Sequence, residues 1–341
     1  MHDHLSYLYG KPEASANMRV ECEDFRVSEN LSFEPVGSGY HSLVYIRKTN
    51  RNTQDILSWL AETCAVSERD IGYCGQKDKR AITEQWFSVP GNDADECLKS
   101  ADSIEGIEVL SIVPHDKKLR IGAHRSNSFE IVLKEFDGNH EDVKHRLQSI
   151  QQTGFPNYFG PQRFGRDGKN ALYGRMLLQN KRFRKAKGVR QKLQVSALRS
   201  QLFNTIVSCS LSSSTYDVLQ EHDVLMIDGS HSHFVADQSD DLELRLKNMA
   251  VHKTAPLWGR PDRHLPERLY QRELEILADF QEDALLLESR RFDMTRRAVR
   301  AVARNLQWEF GDSQLILKFE LDPGVFATSL LRELVDFEVT Y

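Results

Sequence analysis

Apolar positions recur along this chain with two periods, and each period marks particular regions. Phe25-Arg26-Val27-Ser28 alternates and reads as a short strand. His41 to Arg47 (HSLVYIR), β-branched and aromatic, reads as a longer one. Ile71 to Cys74 and Ile82 to Val89 are strand-like runs on either side of a polar loop. Phe129, Ile131 and Leu133 alternate with Glu130, Val132 and Lys134, and Leu315, Leu317, Phe319 and Leu321 with Ile316, Lys318 and Glu320. Helical spacing appears at Ile56, Leu57, Leu60 and Cys64, with Thr53 as the expected cap. It appears again at Val143, Leu147 and Ile150 after Asn139.

Past Gly154-Phe155-Pro156 the pattern changes. Ala171–Leu178 and Val195–Ser210 read as helices, and 225–229 and 233–237 as short strands. Pro256, Gly259, Pro261 and Pro266 punctuate a linker. Glu267 to Leu287 is expected to be one long helix and Arg296 to Leu306 another, with Arg297, Arg300 and Arg304 on one side. Asp322-Pro323-Gly324 turns into a last helix containing Ser329–Leu334. Residues 1–20 carry no strong pattern and are expected to be loose. Both ends are strand-rich α+β and the middle is not, so one split domain with an inserted domain is the economical arrangement.

Composition narrows the class. With 341 residues and 40% hydrophobic side chains, the chain has material for about two globular domains. No apolar run approaches the ~18–20 residues of a membrane span, and the N-terminus lacks a basic region followed by an apolar one. A cytoplasmic protein without a membrane partner is expected. Five scattered cysteines, with no CxxC pair, read as reduced thiols, mostly in the core. The net charge of −5 hides an asymmetry: residues 160–200 hold 12 Lys/Arg and one acid. This basic segment in an acidic body suits a polyanion, and nucleic acid is the expected one. Lys77–Arg80 and the group from Lys117 to Arg125 add two smaller basic clusters.

Candidate chemistry concentrates in Gly75-Gln76-Lys77-Asp78-Lys79-Arg80. Asp78 lies between two lysines at a turn between apolar strands, and neighbouring cations favour the ionised carboxylate that a nucleophile or base requires. A surface turn of mixed charge is the plainer alternative. In Asn157-Tyr158-Phe159-Gly160-Pro161-Gln162-Arg163-Phe164-Gly165, aromatics interleave with Arg and Gln as in surfaces that stack bases and hold phosphates. A buried aromatic hinge would look the same. In Gly324 to Ser329, Phe326 is either a core residue or part of a ligand site at a helix start. Gly37-Ser38-Gly39 lacks dinucleotide-fold spacing, and there is no P-loop, GxSxG elbow or adenosylmethionine loop. His2/His4 and His231/His233 lack further ligands at metal-binding spacing. Glu84 lies up to ~20 Å along an extended chain from Asp78, too far for a two-carboxylate hydrolase. No metal and no cofactor are expected.

Together these residues resemble the TruD family of tRNA pseudouridine synthases. The resemblance rests on Gly75-Gln-Lys-Asp-Lys79 followed by Ala81 and Thr83-Glu84-Gln85-Trp86, and on Glu23-Asp24-Phe25-Arg26-Val27. It rests further on Asn157–Gly160 with Gln162–Gly165, and on Pro323-Gly324 with Phe326–Ser329 and Arg332-Glu333-Leu334. It implies a pseudouridine synthase catalytic domain with a curved, mostly antiparallel sheet, split into 1–155 and 301–341. Residues 156–300 would be the inserted, RNA-binding α/β domain. It implies isomerisation of uridine to pseudouridine in tRNA, at position 13, by a monomer. Asp78 would be catalytic, and Phe25, Asn127, Phe129, Phe326, Lys77 and Lys79 would hold the substrate. Arg163, Lys185, Lys187 and Arg190 would bind RNA. Ser126 departs from the family's Gly-Asn-x-Phe pattern around Asn127. The competing reading is an RNA-binding protein without catalysis.

Overall fold

The computed structural model describes residues 4–91, 93–100, 104–165, 167–236 and 241–339. The expectations concerning His2, Arg166 and Asp237 fall outside these. The chain divides into two compact units. One comprises 13–140, 304–324 and 335–341; the other comprises 1–12, 141–303 and 325–334. This division falls at 140/141 and 303/304 rather than at 155/156 and 300/301. Phe155–Pro156 pairs with Arg300–Ala301 within the second unit, so the crossing strands belong with it.

The first unit is built on a ten-stranded mixed sheet. Its strands include β1 (Ser15–Met18), β2 (Phe25–Leu31), β3 (His41–Thr49), β4 (Gly72–Tyr73), β5 (Ile82–Pro90), β6 (Ile107–His115) and β7 (His124–Asp137). Arg304–Phe310, Gln314–Leu321 and Asp336–Val339 complete it. The main path runs from 304–310 through 314–321, β7, β2, β5 and β3 to β6. β2 and β5 are parallel, as are β1 and 336–339; the other pairings are antiparallel. α1 (Thr53–Thr63) lays Ile56, Leu57 and Leu60 on Val44, Ile46, Phe87 and Val89. Its cap is Asn52 rather than Thr53, with the Asn52 N–H donating to Asp55 at 2.8 Å.

The second unit combines helices with a four-stranded antiparallel sheet in the order 233–235, 224–227, 251–257, 295–298. Its core gathers Tyr158, Leu198, Leu202, Phe203, Trp258, Leu277 and Leu287. Two helix expectations fail here. The span from Arg296 to Leu306 contains strands Thr295–Ala298 and Arg300–Ala301 and the start of Arg304–Phe310. Its arginines serve separate partners: Arg296 reaches Glu273, Arg297 reaches Asn157, and Arg300 bonds the Leu246 and Val251 carbonyls. Helical spacing there was coincidental, and strand pairing decided the conformation. The span from Glu267 to Leu287 is interrupted by a 3-10 turn at Ala278–Phe280, without a Gly or Pro to announce it. Conversely, the expected helix at 195–210 runs over Gly188–Ser212 and takes in Arg190 and Lys192.

The N-terminal residues are also more ordered than their pattern suggests. β1 pairs with β7 and with 336–339. In the second unit, the Leu8 and Tyr9 amides donate to Glu333, and the Tyr9 hydroxyl donates to the Gly154 carbonyl at 2.6 Å. All five cysteines are free, but only Cys64 and Cys74 are buried. Among the described residues, no helix is long and apolar enough to cross a membrane.

Candidate active site

The loop Gly75–Arg80 is held at its backbone by side chains from three sources. Gln85, on β5, donates to the Gly75 carbonyl. Thr53, at the start of α1, accepts the Lys77 N–H at 3.0 Å and donates to Gln85 at 3.2 Å. Lys48, fully buried on β3, donates to the Asp78 carbonyl at 2.8 Å and the Arg51 carbonyl at 2.6 Å. Burial pushes the Lys48 ammonium down to about 8, against the pull of Asp78 and Asp55. Arg80 donates to the Val20 carbonyl at 2.7 Å. A loop anchored this way carries its side chains at fixed positions.

Asp78 is the accessible acid of the loop. Its carboxylate pairs with Arg19 at 3.1 Å, and the two side chains are 34% and 12% exposed. The counter-ion differs from the expectation: neither flanking lysine faces this carboxylate. Lys77 turns inward and Lys79 is exposed to solvent. Arg19 also lies over the Phe25 ring, 3.8 Å from its centroid. Arg19 was missed because the sequence around it carries no periodic signal. Its backbone adopts a φ of 61°, uncommon for a non-glycine residue.

Beneath the loop is a buried polar chain. Val27 pairs with Phe129 and Glu29 with Asn127 across β2 and β7, which puts these side chains on one face of the sheet. Lys77 Nζ lies 2.8 Å from Glu29 Oε1 and also donates to Asn127 Oδ1. An ammonium only donates, so this contact fixes the Asn127 amide with its nitrogen toward His124 Nε2, 3.3 Å away. Burial, and then Lys77, push His124 down to about 4, leaving a neutral ring whose Nε2 accepts. Burial pushes the Glu29 carboxyl up, opposed by Lys77. The Trp86 N–H donates to the other Glu29 oxygen at 3.2 Å. Glu29, Cys74 and His124 bring ligand-type atoms within 4.8 Å of one another. The Lys77 ammonium already supplies a cation to Glu29, and burial pushes the Cys74 thiol up to about 12. That donor set therefore reads as a hydrogen-bonded network rather than a metal centre.

The aromatic candidates differ in accessibility. Phe25 is 1% exposed and covered by Arg19, so it supports that guanidinium and offers no open ring face for a base. Phe129 is half-buried, 6.0 Å from Phe25 edge-on and 5.3 Å from Phe319 in a stack. Phe326, in the second unit, meets Phe159 edge-on at 5.6 Å.

Glu84 projects from the opposite face of the sheet. It accepts from Arg47 twice, at 3.0 and 2.8 Å, and from Tyr45 and Ser28, both at 2.9 Å. Burial alone would push its carboxyl up, but these donors outweigh burial and the net shift is downward.

In the basic segment, Lys185, Lys187 and Arg190 are exposed, with no acidic partner among the described residues. Arg175 and Arg199 are different: Arg175 pairs with Asp283, and Arg199 bonds the carbonyls of Leu257, Trp258 and Asp293. Both are structural.

Comparison with known proteins assigns this architecture. A solved chain from Methanosarcina mazei assigned to TruD superposes with a TM-score of 0.76 at 20% identity, covering 97% of this chain and 95% of that one. The two chains share a fold. The family model described as tRNA pseudouridine synthase D (TruD) matches residues 2–189 and 181–334. The tRNA pseudouridine synthase D of Shewanella oneidensis is 41% identical over 98% of this chain and 90% of its own length. That of Histophilus somni is 37% identical over 97% and 98%. The chain belongs to the TruD family.

Proposed function

We propose that this chain isomerises uridine to pseudouridine in tRNA, at position 13, with Asp78 as the catalytic carboxylate. In that reaction the N1–C1′ bond breaks, the uracil turns and C5 bonds to C1′; the C5 proton leaves and N1 takes one up. No electrons or groups are lost, so the reading needs no cofactor. The observation that carries it is Asp78 itself: a partly exposed carboxylate on an anchored loop, with one basic partner rather than a full set of donors. Family membership supplies the substrate class.

The other assignments follow from that reading. Asn127 has one oxygen lone pair and one N–H left after binding Lys77 and His124, which suits the uracil edge. Phe129 lies under the base, and Phe326 is a stacking surface. Lys79 meets an adjacent phosphate. The sheet unit carries the chemistry, and residues 156–300 act as the inserted RNA-binding domain, with Lys185, Lys187 and Arg190 on phosphates. The protein works as a monomer in the cytoplasm. Extruding the target nucleotide costs a few kcal/mol, which these RNA contacts offset. The test is tritium release from tRNA labelled at uracil C5. Release by wild type and none by Asp78→Asn supports the reading. RNA binding without release by either supports a non-catalytic binder.

A further inference from the structure

The planar Asn127 amide would fill the same space after a half-turn, so its neighbours decide which end carries the oxygen. Two neighbours decide it here. Lys77 Nζ donates to Asn127 Oδ1 and lies 2.8 Å from Glu29 Oε1, the two charged side chains being 7% and 0% exposed. His124 Nε2 faces the amide nitrogen at 3.3 Å. An ammonium has no lone pair, and burial keeps the His124 ring neutral, so both neighbours demand the same orientation. For Nε2 to accept, the ring proton must sit on Nδ1, which is buried without a hydrogen-bond partner among the described residues. An unsatisfied buried donor costs stability. The fold bears that cost while keeping Nε2 turned toward the amide.

Glu29 pairs with Asn127 across β2 and β7, and Lys77 directly precedes Asp78 in the loop. The amide is therefore tied to the neighbour of the proposed catalytic carboxylate. Asn127 is half-buried and keeps one oxygen lone pair and one N–H. Uracil and cytosine differ at the edge such a pair would read. Uracil offers an N3–H donor beside an O4 acceptor, whereas cytosine offers an N3 acceptor beside an amino donor. Once stacking and the sugar fix the ring, an amide held one way round matches only one of these bases. After a half-turn it would match the other. We propose that Lys77, held by Glu29, and His124 are positioning residues that lock the Asn127 amide and so make the site select uridine over cytidine. In this role they act through Asn127 rather than by touching the base. The selection rests on the reading above that Asn127 meets the uracil edge of a tRNA nucleotide.

The test uses two tRNA transcripts that differ only in carrying uridine or cytidine at the target position. Their dissociation constants are measured by fluorescence anisotropy on the full chain with Asp78→Asn, so that no turnover intervenes. With the network intact, the cytidine transcript should bind about tenfold more weakly. Adding His124→Leu should shrink that ratio to about threefold, through loss of one hydrogen bond to the amide. Adding Lys77→Met with Glu29→Met removes both buried charges together and should bring the ratio close to one. A network that only supports the fold would weaken both transcripts equally, and a ratio kept at its original value in these folded variants overturns the lock. Should the double change fail to fold, His124→Leu decides alone. Equal binding of the two transcripts with the network intact also overturns the lock. Asn127→Ala separates the lock from the reading beneath it. A ratio that collapses in Asn127→Ala but persists in the other variants refutes the lock only. A ratio that persists in Asn127→Ala refutes the uracil contact, and the lock with it. Absence of tritium release by wild type refutes the enzymatic reading, while a ratio that follows the variants as expected still supports the lock.

Discussion

Asp78 and Glu84 are six residues apart on the same stretch of chain, yet the fold treats them in opposite ways. Glu84 accepts from three side chains, Arg47 donating twice to Oε1 and Tyr45 and Ser28 to Oε2, and its oxygens are committed. Asp78 meets one guanidinium, at 3.1 Å through Oδ2 and at a longer 3.5 Å through Oδ1, and keeps a third of its side chain open. Both are acids beside basic groups, so charge alone does not separate them. The number of donors does. A carboxylate with its lone pairs filled is a structural joint, whereas one with spare capacity can act on another molecule.

The sharpest way to break this contrast is to remove each acid in turn. Asp78→Asn should lower tritium release by at least about a thousandfold, equivalent to ~4 kcal/mol of barrier, with a melting temperature close to wild type. Substantial release by that variant would place the chemistry elsewhere. Next in size is the buried pair beneath the loop. Glu29→Gln leaves Lys77 without its anion in a buried site and should cost about 3–5 kcal/mol in denaturant unfolding. The double change with Lys77→Met should recover much of this, whereas additive losses would mean that the two side chains are not coupled.

Arg19→Met removes the partner of Asp78 and the cover of Phe25; release should fall about 10–100-fold, mostly in kcat. A change confined to KM would make Arg19 a binding group instead. The smallest effect belongs to Glu84→Gln, expected to cost about 1–3 kcal/mol of stability and to leave kcat within about threefold. Because the folded Glu84 carboxyl is shifted downward, its stabilisation is full above the unfolded value near 4.3 and is lost as pH falls through the folded value. The wild type should therefore lose more stability than Glu84→Gln on acidification below about pH 4–5. Parallel curves would contradict the donor count.

The difference between these two carboxylates is partly visible in the sequence. The strand alternation groups Phe25 and Val27 within β2, and Phe129 with Ile131 and Leu133 within β7, while the β2–β7 register is what brings the two sets onto one face; the polar loop between β4 and β5 singles out Asp78. Period-two runs were legible because a half-buried sheet imposes them on every strand. Arg19, Lys48 and His124 were not legible as parts of the site. Their roles depend on which strands become neighbours, and local spacing does not contain that. The assumption that Lys77 serves Asp78 followed sequence adjacency, but on an extended backbone adjacent side chains diverge, and Lys77 finds Glu29 instead. The same logic explains the failed helix at 296–306, where arginines three and four apart are shared among partners on different elements.

β2 lies between a parallel neighbour and an antiparallel one, with its odd-numbered side chains on the loop side and its even-numbered ones on the Glu84 side. Inserting or deleting a single residue within it would swap those sets: an insertion would put Ser28 opposite the Lys77 ammonium, and a deletion would bring Glu29 to the position beside Glu84. The turn at Gly37–Gly39, outside the ladder, can change length without that exchange. Tolerance to length change should therefore drop sharply at the first paired residue of this strand.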